Sequence, residues 1–271
     1  MSVKKKTRKA RIILAAIFAA ILCYALIKIT TQTPDYTAER DSVEKAEEVA
    51  RGEKEDDPAR VELEDIPAPA DPDLEYLTSL DIEKLQVENP DVIGWILIPG
   101  TNISYPLLKG EDNEYYLKHT WDNQKNACGS IFYDYRSSPG DWNSVIYGHN
   151  MRNGSMFAGL HQYKKADFAD KNSRLLILCD GEVSEYQFAV AFEAKMDGVP
   201  YLFGNASKVE RSQFREEVSE KAGVDFGENT SFITLSTCTG LGHKTRWVVV
   251  FSADNKQPYA SAVYLNKTEG S

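Results

Sequence analysis

The sequence predicts a mainly β fold, an eight-stranded barrel that is closed or nearly so. Eight short runs of β-type residues recur between Val92 and Ala253, and few helical patterns separate them. "IPGTNISYP" joins the first two runs through Gly100–Asn102, a hairpin-like turn. A doubly wound sheet would need a helix after nearly every strand, whereas many short strands with turn signals favour a barrel.

The elements follow in order. Residues 1–11 carry Lys4, Lys5, Lys6, Arg8, Lys9 and Arg11 with no acid, which leaves the rest of this −10 chain at −16. No basic tract recurs in the main body, so nucleic acid is excluded as a partner. Residues 12–29, "IILAAIFAAILCYALIKI", hold Lys28 as their only charge. About 20 apolar residues span a bilayer, and a lysine near the end can snorkel. A cleaved signal peptide has an apolar core of about 7–15 residues and an A-x-A-like site. This run is longer and "IKITTQTPD" offers no such site, so it reads as an uncleaved transmembrane signal-anchor. The cations before it place residues 1–11 in the cytoplasm and the remainder on the extracellular face of the cell membrane. Residues 30–73 read as an acidic stalk. Thr31–Asp65 hold thirteen acids against five cations, with a helical stretch expected near Ser42–Lys54, and "IPAPADPD" ends the stalk as a proline-containing spacer.

The folded domain, 74–271, begins with an amphipathic helix carrying Leu74, Leu77, Leu80 and Ile82. The expected strands are Val92–Ile98, Ile103–Leu108, Gly129–Tyr135, Ser144–His149, Arg174–Cys179, Glu185–Met196, Ser231–Cys238 and Arg246–Ala253. Helical pieces are expected at Met156–Gln162 and, longer, at Ala206–Ala222 before the strand that ends in Cys238.

Of four cysteines, Cys23 lies in the apolar segment, so Cys128, Cys179 and Cys238 leave an odd thiol outside it. Cys128 and Cys179 read as small buried hydrophobes. Cys238 ends a strand, follows Ser236 and Thr237, and faces across a short loop toward Arg246 at the start of the next strand. A cysteine nucleophile needs a base or an ion-pair partner, and donors for an oxyanion. His149 closes the strand "SVIYGH" and opens a polar loop, where barrels place function. The residues alone leave it open whether it is structural. His119 and His161 read as structural or surface residues, and His243 lies among glycines in the loop after Cys238.

Thr234-Leu235-Ser236-Thr237-Cys238, with His149 before it and Arg246 after it, resembles the T-L-x-T-C signature of the sortases. These are membrane-anchored cysteine transpeptidases of Gram-positive bacteria. "NPDVIGWILIPGTNISYPLLKGEDNEYYL", "GSIFYDYR", "YGHNM" and the helix-forming "SKVERSQFREEVSEKAG" are similar to the class B branch. The resemblance implies a sortase-type barrel and a catalytic set of His149, Cys238 and Arg246. It also implies a peptide groove of Asn113, Leu117, Tyr147, Tyr201, Leu202, Ser236 and Thr237. The implied reaction, of the cysteine endopeptidase class, cleaves a C-terminal sorting motif after threonine and passes the acyl group to an amine. Class B motifs resemble Asn-Pro-x-Thr-Asn or Ser/Pro-Pro-x-Thr-Gly, and the sequence does not choose between them. The implied acceptor is a cell-wall precursor amine, with a pilin lysine as the alternative; the alternative from another class is a catalytically idle surface module that holds peptides in the barrel groove. No His/Asp/Glu cluster of metal-ligand spacing appears, and the resemblance implies no cofactor.

Overall fold

The computed structural model describes residues 2–52, 71–240 and 244–254; within the first helix, side chains are described for 13–24 and 36–51. The strands are β1 (Val92–Leu97), β2 (Ser104–Leu108), β3 (Ile131–Tyr133), β4 (Asn143–Tyr147), β5 (Arg174–Cys179), β6 (Glu182–Lys195), β7 (Thr230–Cys238) and β8 (Thr245–Asp254). They close into a barrel in the order β1-β2-β3-β4-β7-β8-β6-β5. The expected eight-stranded barrel is therefore the observed fold. Closure comes from β5, which pairs antiparallel with both β1 and β6. The β1–β2 turn runs through Gly100 at φ +76°, a left-handed conformation that glycine adopts without steric cost.

Among the described residues there are five α-helices: α1 (Ser2–Arg51), α2 (Pro72–Thr78), α3 (Ile82–Glu88), α4 (Ala166–Lys171) and α5 (Lys208–Ala222). The single helix expected after Leu74 is two, because Asp71 and Asp81 each begin one and Ser79 ends the first. α5 starts at a Ser207–Glu210 capping box and ends at left-handed Gly223. A 3₁₀ segment, Phe157–Lys164, sends Phe157, Leu160 and Tyr163 into the barrel interior beside Ile233, Leu235, Trp247 and Val249.

Outside the barrel, Leu77 of α2, Leu80 in the link and Leu85 of α3 cover Trp95, Leu108 and Leu178. Phe214 and Val218 of α5 cover Phe232 and Val250. Within the span read as a stalk, residues 36–51 lie against this body. Ala46 and Ala50 are fully buried, the Trp121 indole donates to the Ser42 carbonyl at 2.7 Å, and Tyr76 donates to Glu47 at 2.8 Å. An acidic composition hides this contact, since Val43, Ala46 and Ala50 supply only a narrow apolar stripe on one helix face. The rest of that span, 53–70, lies outside the described residues, as do 255–271 of the expected domain.

The expected anchor, 12–29, falls within α1. Its described side chains, from Ile13 to Tyr24, are exposed; residue 12 and residues 25–29 lie outside the described side chains. Among the described residues no helix is long and apolar enough to cross a membrane.

Candidate active site

Two of the three residues that the sequence singles out stand on paired strands, Cys238 at the end of β7 and Arg246 near the start of β8, and His149 lies two residues beyond the end of β4. β4 and β7 run parallel, with Val145 opposite Thr234 and Tyr147 opposite Ser236. The ladder continues to Gly148, whose N–H donates to the Ser236 carbonyl at 3.2 Å. Extending that register by one more alternation brings His149 level with Cys238. On the other side of β7, Cys238 is paired directly with Arg246 of β8. Side chains of laterally paired residues share a face, so the thiol and guanidinium stand side by side across β7 and β8, while His149 follows the end of β4 between two residues bonded to β7, Gly148 to Ser236 and Asn150 to Cys238. All three are half-buried.

Gly148 permits this strand end. A Cβ there would clash with Ile131 Cδ1 and sit 2.6 Å from Phe157 Cγ. His149 in turn is aimed by a backbone group, its Nε2 lying 2.9 Å from the Leu117 carbonyl oxygen. A carbonyl only accepts, so Nε2 carries the proton and Nδ1 is the nitrogen left for chemistry. Arg246 Nη1 donates to the Thr245 carbonyl at 3.2 Å. The loop base is tied by Thr239, which bonds Thr245, and by the Thr245 hydroxyl, which donates to Glu193. His243 lies outside the described residues.

The expected groove residues separate into contacts of different kinds. Tyr147 and Tyr201 stack with centroids 6.4 Å apart, and the Tyr201 hydroxyl bonds Ser236 Oγ at 2.9 Å. Burial pushes the Tyr201 phenol up, and the Ser236 bond and the Arg246 charge offset part of that. Leu202 is half-buried and its carbonyl accepts from Asn143 at 2.8 Å. Leu117 reaches the site through its carbonyl. Thr237 differs: it is 2% exposed, pairs with Trp247 and turns to the barrel interior, opposite in alternation to Ser236 and Cys238. Among the described residues its hydroxyl is the buried side-chain oxygen without a partner.

Sequence reasoning missed Asp134, His161 and Asn150, whose Nδ2 lies 3.0 Å from the Cys238 carbonyl. Asp134 is buried and receives Asn113 Nδ2 at 2.8 Å, the Tyr147 hydroxyl at 2.9 Å and Arg136 Nη2 at 2.8 Å. Burial alone would raise its carboxyl, but the bonds from Arg136, Asn113 and Tyr147 outweigh it and hold the group below the usual carboxylate value. The "FYDYR" run placed an acid beside an arginine, but nothing local pointed to Asn113 or Tyr147. The second is His161, read as structural or surface, whose Nε2 lies 3.0 Å from the Cys238 carbonyl. The other thiols sit elsewhere: Cys128 is fully buried, and burial with the nearby Asp180 charge pushes Cys179 up to about 11.

Comparison with known proteins agrees with this geometry. Residues 96–254 match the sortase domain family. Sortase B of Listeria monocytogenes is 49% identical over 90 residues, 32% of this chain and 37% of that protein. The chain thus spans little more than a third of that relative in the match. Sortase B of Staphylococcus aureus is 30% identical over 177 residues, 62% of this chain and 72% of that protein. The crystal structure of Clostridium perfringens sortase B superposes with a TM-score of 0.58 at 31% identity, covering 63% of this chain and 97% of that one. With its closed barrel and its T-L-x-T-C strand end, this chain belongs to the sortase family and groups with the class B sortases.

Proposed function

We propose that the protein is a membrane-anchored cysteine transpeptidase that cleaves exported proteins after the threonine of a C-terminal sorting motif and joins the new carboxyl end to a cell-wall amine. The observation that carries this reading is the direct pairing of Cys238 with Arg246 on adjacent strands, with His149 two residues beyond the Tyr147–Ser236 pair at the end of the neighbouring strand. One structure of Staphylococcus aureus sortase B holds a substrate, and another structure of sortase B holds triglycine. Both support a peptide donor and an amine acceptor for this chain as well.

The chemistry follows from the donors. Cys238 Sγ, as thiolate, attacks the carbonyl carbon after threonine, and the Arg246 guanidinium with a backbone N–H holds the oxyanion. Collapse breaks the C–N bond, and protonated His149 gives its Nδ1 proton to the leaving amine. The incoming amine then attacks the thioester and returns a proton to Nδ1, and the thiolate leaves. Nε2–H remains on the Leu117 carbonyl throughout, so the ring keeps one orientation in both half-reactions.

Residues 12–29 serve as the anchor, with 1–11 in the cytoplasm and the barrel outside. Six cations before the apolar run and none as dense after it support that orientation. The test of activity is transfer of Asn-Pro-x-Thr-Asn and Pro-Pro-x-Thr-Gly peptides to triglycine and to diaminopimelate-type amines. Wild type should yield the transfer product, Cys238→Ala none; transfer by Cys238→Ala would overturn the reading.

A further inference from the structure

The carbonyl oxygen of Cys238 has two side-chain donors. Asn150 Nδ2 and His161 Nε2 each lie 3.0 Å from it, and the two nitrogens are 3.1 Å apart. A carbonyl offers two lone pairs and only accepts, so both nitrogens donate to it and His161 carries its proton on Nε2. The donors reach one atom from two elements: Asn150 directly follows His149 beyond the end of β4, and His161 stands in the 3₁₀ segment Phe157–Lys164.

Neither donor is a loose surface group. Both are half-buried. His161 stacks on Trp247 at 5.9 Å and 21°, and the Trp247 indole donates to the Leu160 carbonyl at 2.9 Å. The loop after Asn150 is closed by an Asn150–Met156 bridge and by the Phe157 N–H on the His149 carbonyl at 2.9 Å. The last backbone rung between β4 and β7 is the Gly148–Ser236 bond. The Asn150 side chain carries the ladder past it to the nucleophile itself.

Two geometric consequences follow. Asn150 is bonded in sequence to His149 and in space to Cys238, so it ties the base-bearing strand end to the thiol-bearing one. The Cys238–Thr239 peptide is planar, so its carbonyl and the Thr239 N–H point in opposite directions and fixing one fixes the other. The N–H of the residue after a nucleophile is a recurrent oxyanion donor.

We propose that Asn150 and His161 are positioning residues that clamp the Cys238 carbonyl, and thereby hold the Thr239 N–H toward the developing oxyanion with His149 opposite the thiol. This inference rests on Cys238 being the nucleophile. It gives His161 a role distinct from His149: it never exchanges a proton with substrate, and it works through a hydrogen bond that an amide reproduces.

The test is single-turnover acylation by the full chain in detergent, using whichever of the Asn-Pro-x-Thr-Asn and Pro-Pro-x-Thr-Gly peptides the parent cleaves faster. Thermal unfolding is recorded alongside. Misplacement by about 1 Å costs on the order of 100-fold, so Asn150→Ala and His161→Ala should each slow acylation about tenfold or more with KM changed by less than about threefold. His161→Gln, which sets an amide nitrogen close to where Nε2 stands, should recover most of the loss, which a purely structural or acid–base role would not allow. Acylation within about threefold of the parent in both alanine variants, or His161→Gln no faster than His161→Ala, overturns the clamp. Cys238→Ala in the same assay separates the two claims. An inactive Cys238→Ala beside fully active clamp variants sinks only the clamp, whereas an active Cys238→Ala sinks the nucleophile and the clamp together.

Discussion

The Tyr147 hydroxyl donates to the Asp134 carboxylate at 2.9 Å, one of two bonds that tie expected groove residues to that buried acid. Asn113 ends on the same carboxylate, and Arg136 grips it through Nε and Nη2 while its guanidinium lies 3.9 Å over Phe203. Tyr147 then stacks on Tyr201, which bonds Ser236 two residues before the thiol.

Asp134→Asn should therefore loosen the groove more than the chemistry. The amide oxygen can keep the two Arg136 donors on Oδ1, but an NH₂ in place of Oδ2 cannot accept from Asn113, Tyr147 or Arg136 Nη2. KM for the sorting peptide should rise more than about threefold with a smaller change in kcat. A fall in kcat at constant KM would place Asp134 in the chemical step instead.

The same carboxyl sets an acid dependence. Its folded-state value is depressed, so its contribution to stability is present above the ordinary carboxylate value of about 4 and is lost as pH falls through the depressed one. Denaturation midpoints taken downward from about pH 5 should fall more steeply for the parent than for Asp134→Asn. Parallel curves would show that the charge on Asp134 does not matter to the fold.

Arg246→Lys should cost about 100-fold or more in kcat, since a single ammonium cannot reproduce a planar fork beside Cys238 and oxyanion donors are worth about that much. Steady-state kinetics decide it. A loss below about threefold removes Arg246 from the mechanism.

Much of this was legible in the chain. All eight strands were, because each is a short β-type run bounded by turn residues. The pairing of Cys238 with Arg246 follows from a hairpin, whose register is local. The parallel alignment of β4 with β7 is a different matter. Those strands lie some ninety residues apart, and no local pattern says that Tyr147 meets Ser236. Asp134, Asn150 and His161 were missed for the same reason: the contacts that give them meaning, to Tyr147 for Asp134 and to the Cys238 carbonyl for the other two, lie 13, 88 and 77 residues away. The docking of α1 was hidden by its charge. A stretch dominated by acids reads as solvated until the neighbouring surface that accepts Val43, Ala46 and Ala50 is known.

That docking makes its own prediction. Ala50 is fully buried against the barrel side of α1. Ala50→Glu forces a charge into that contact and should destabilise the full chain by about 2–4 kcal/mol in chemical denaturation. An unchanged midpoint would mean that residues 36–51 do not pack there.

The central claim is that Cys238 carries the acyl group. Wild type and Cys238→Ala are each incubated with a sorting-motif peptide and no added amine, and intact mass is read. Wild type should gain the mass of the peptide fragment ending in threonine, mapped to Cys238 and released by hydroxylamine as the hydroxamate. Cys238→Ala should gain nothing. An adduct on Cys128 or Cys179, or transfer by the alanine variant, would contradict the account.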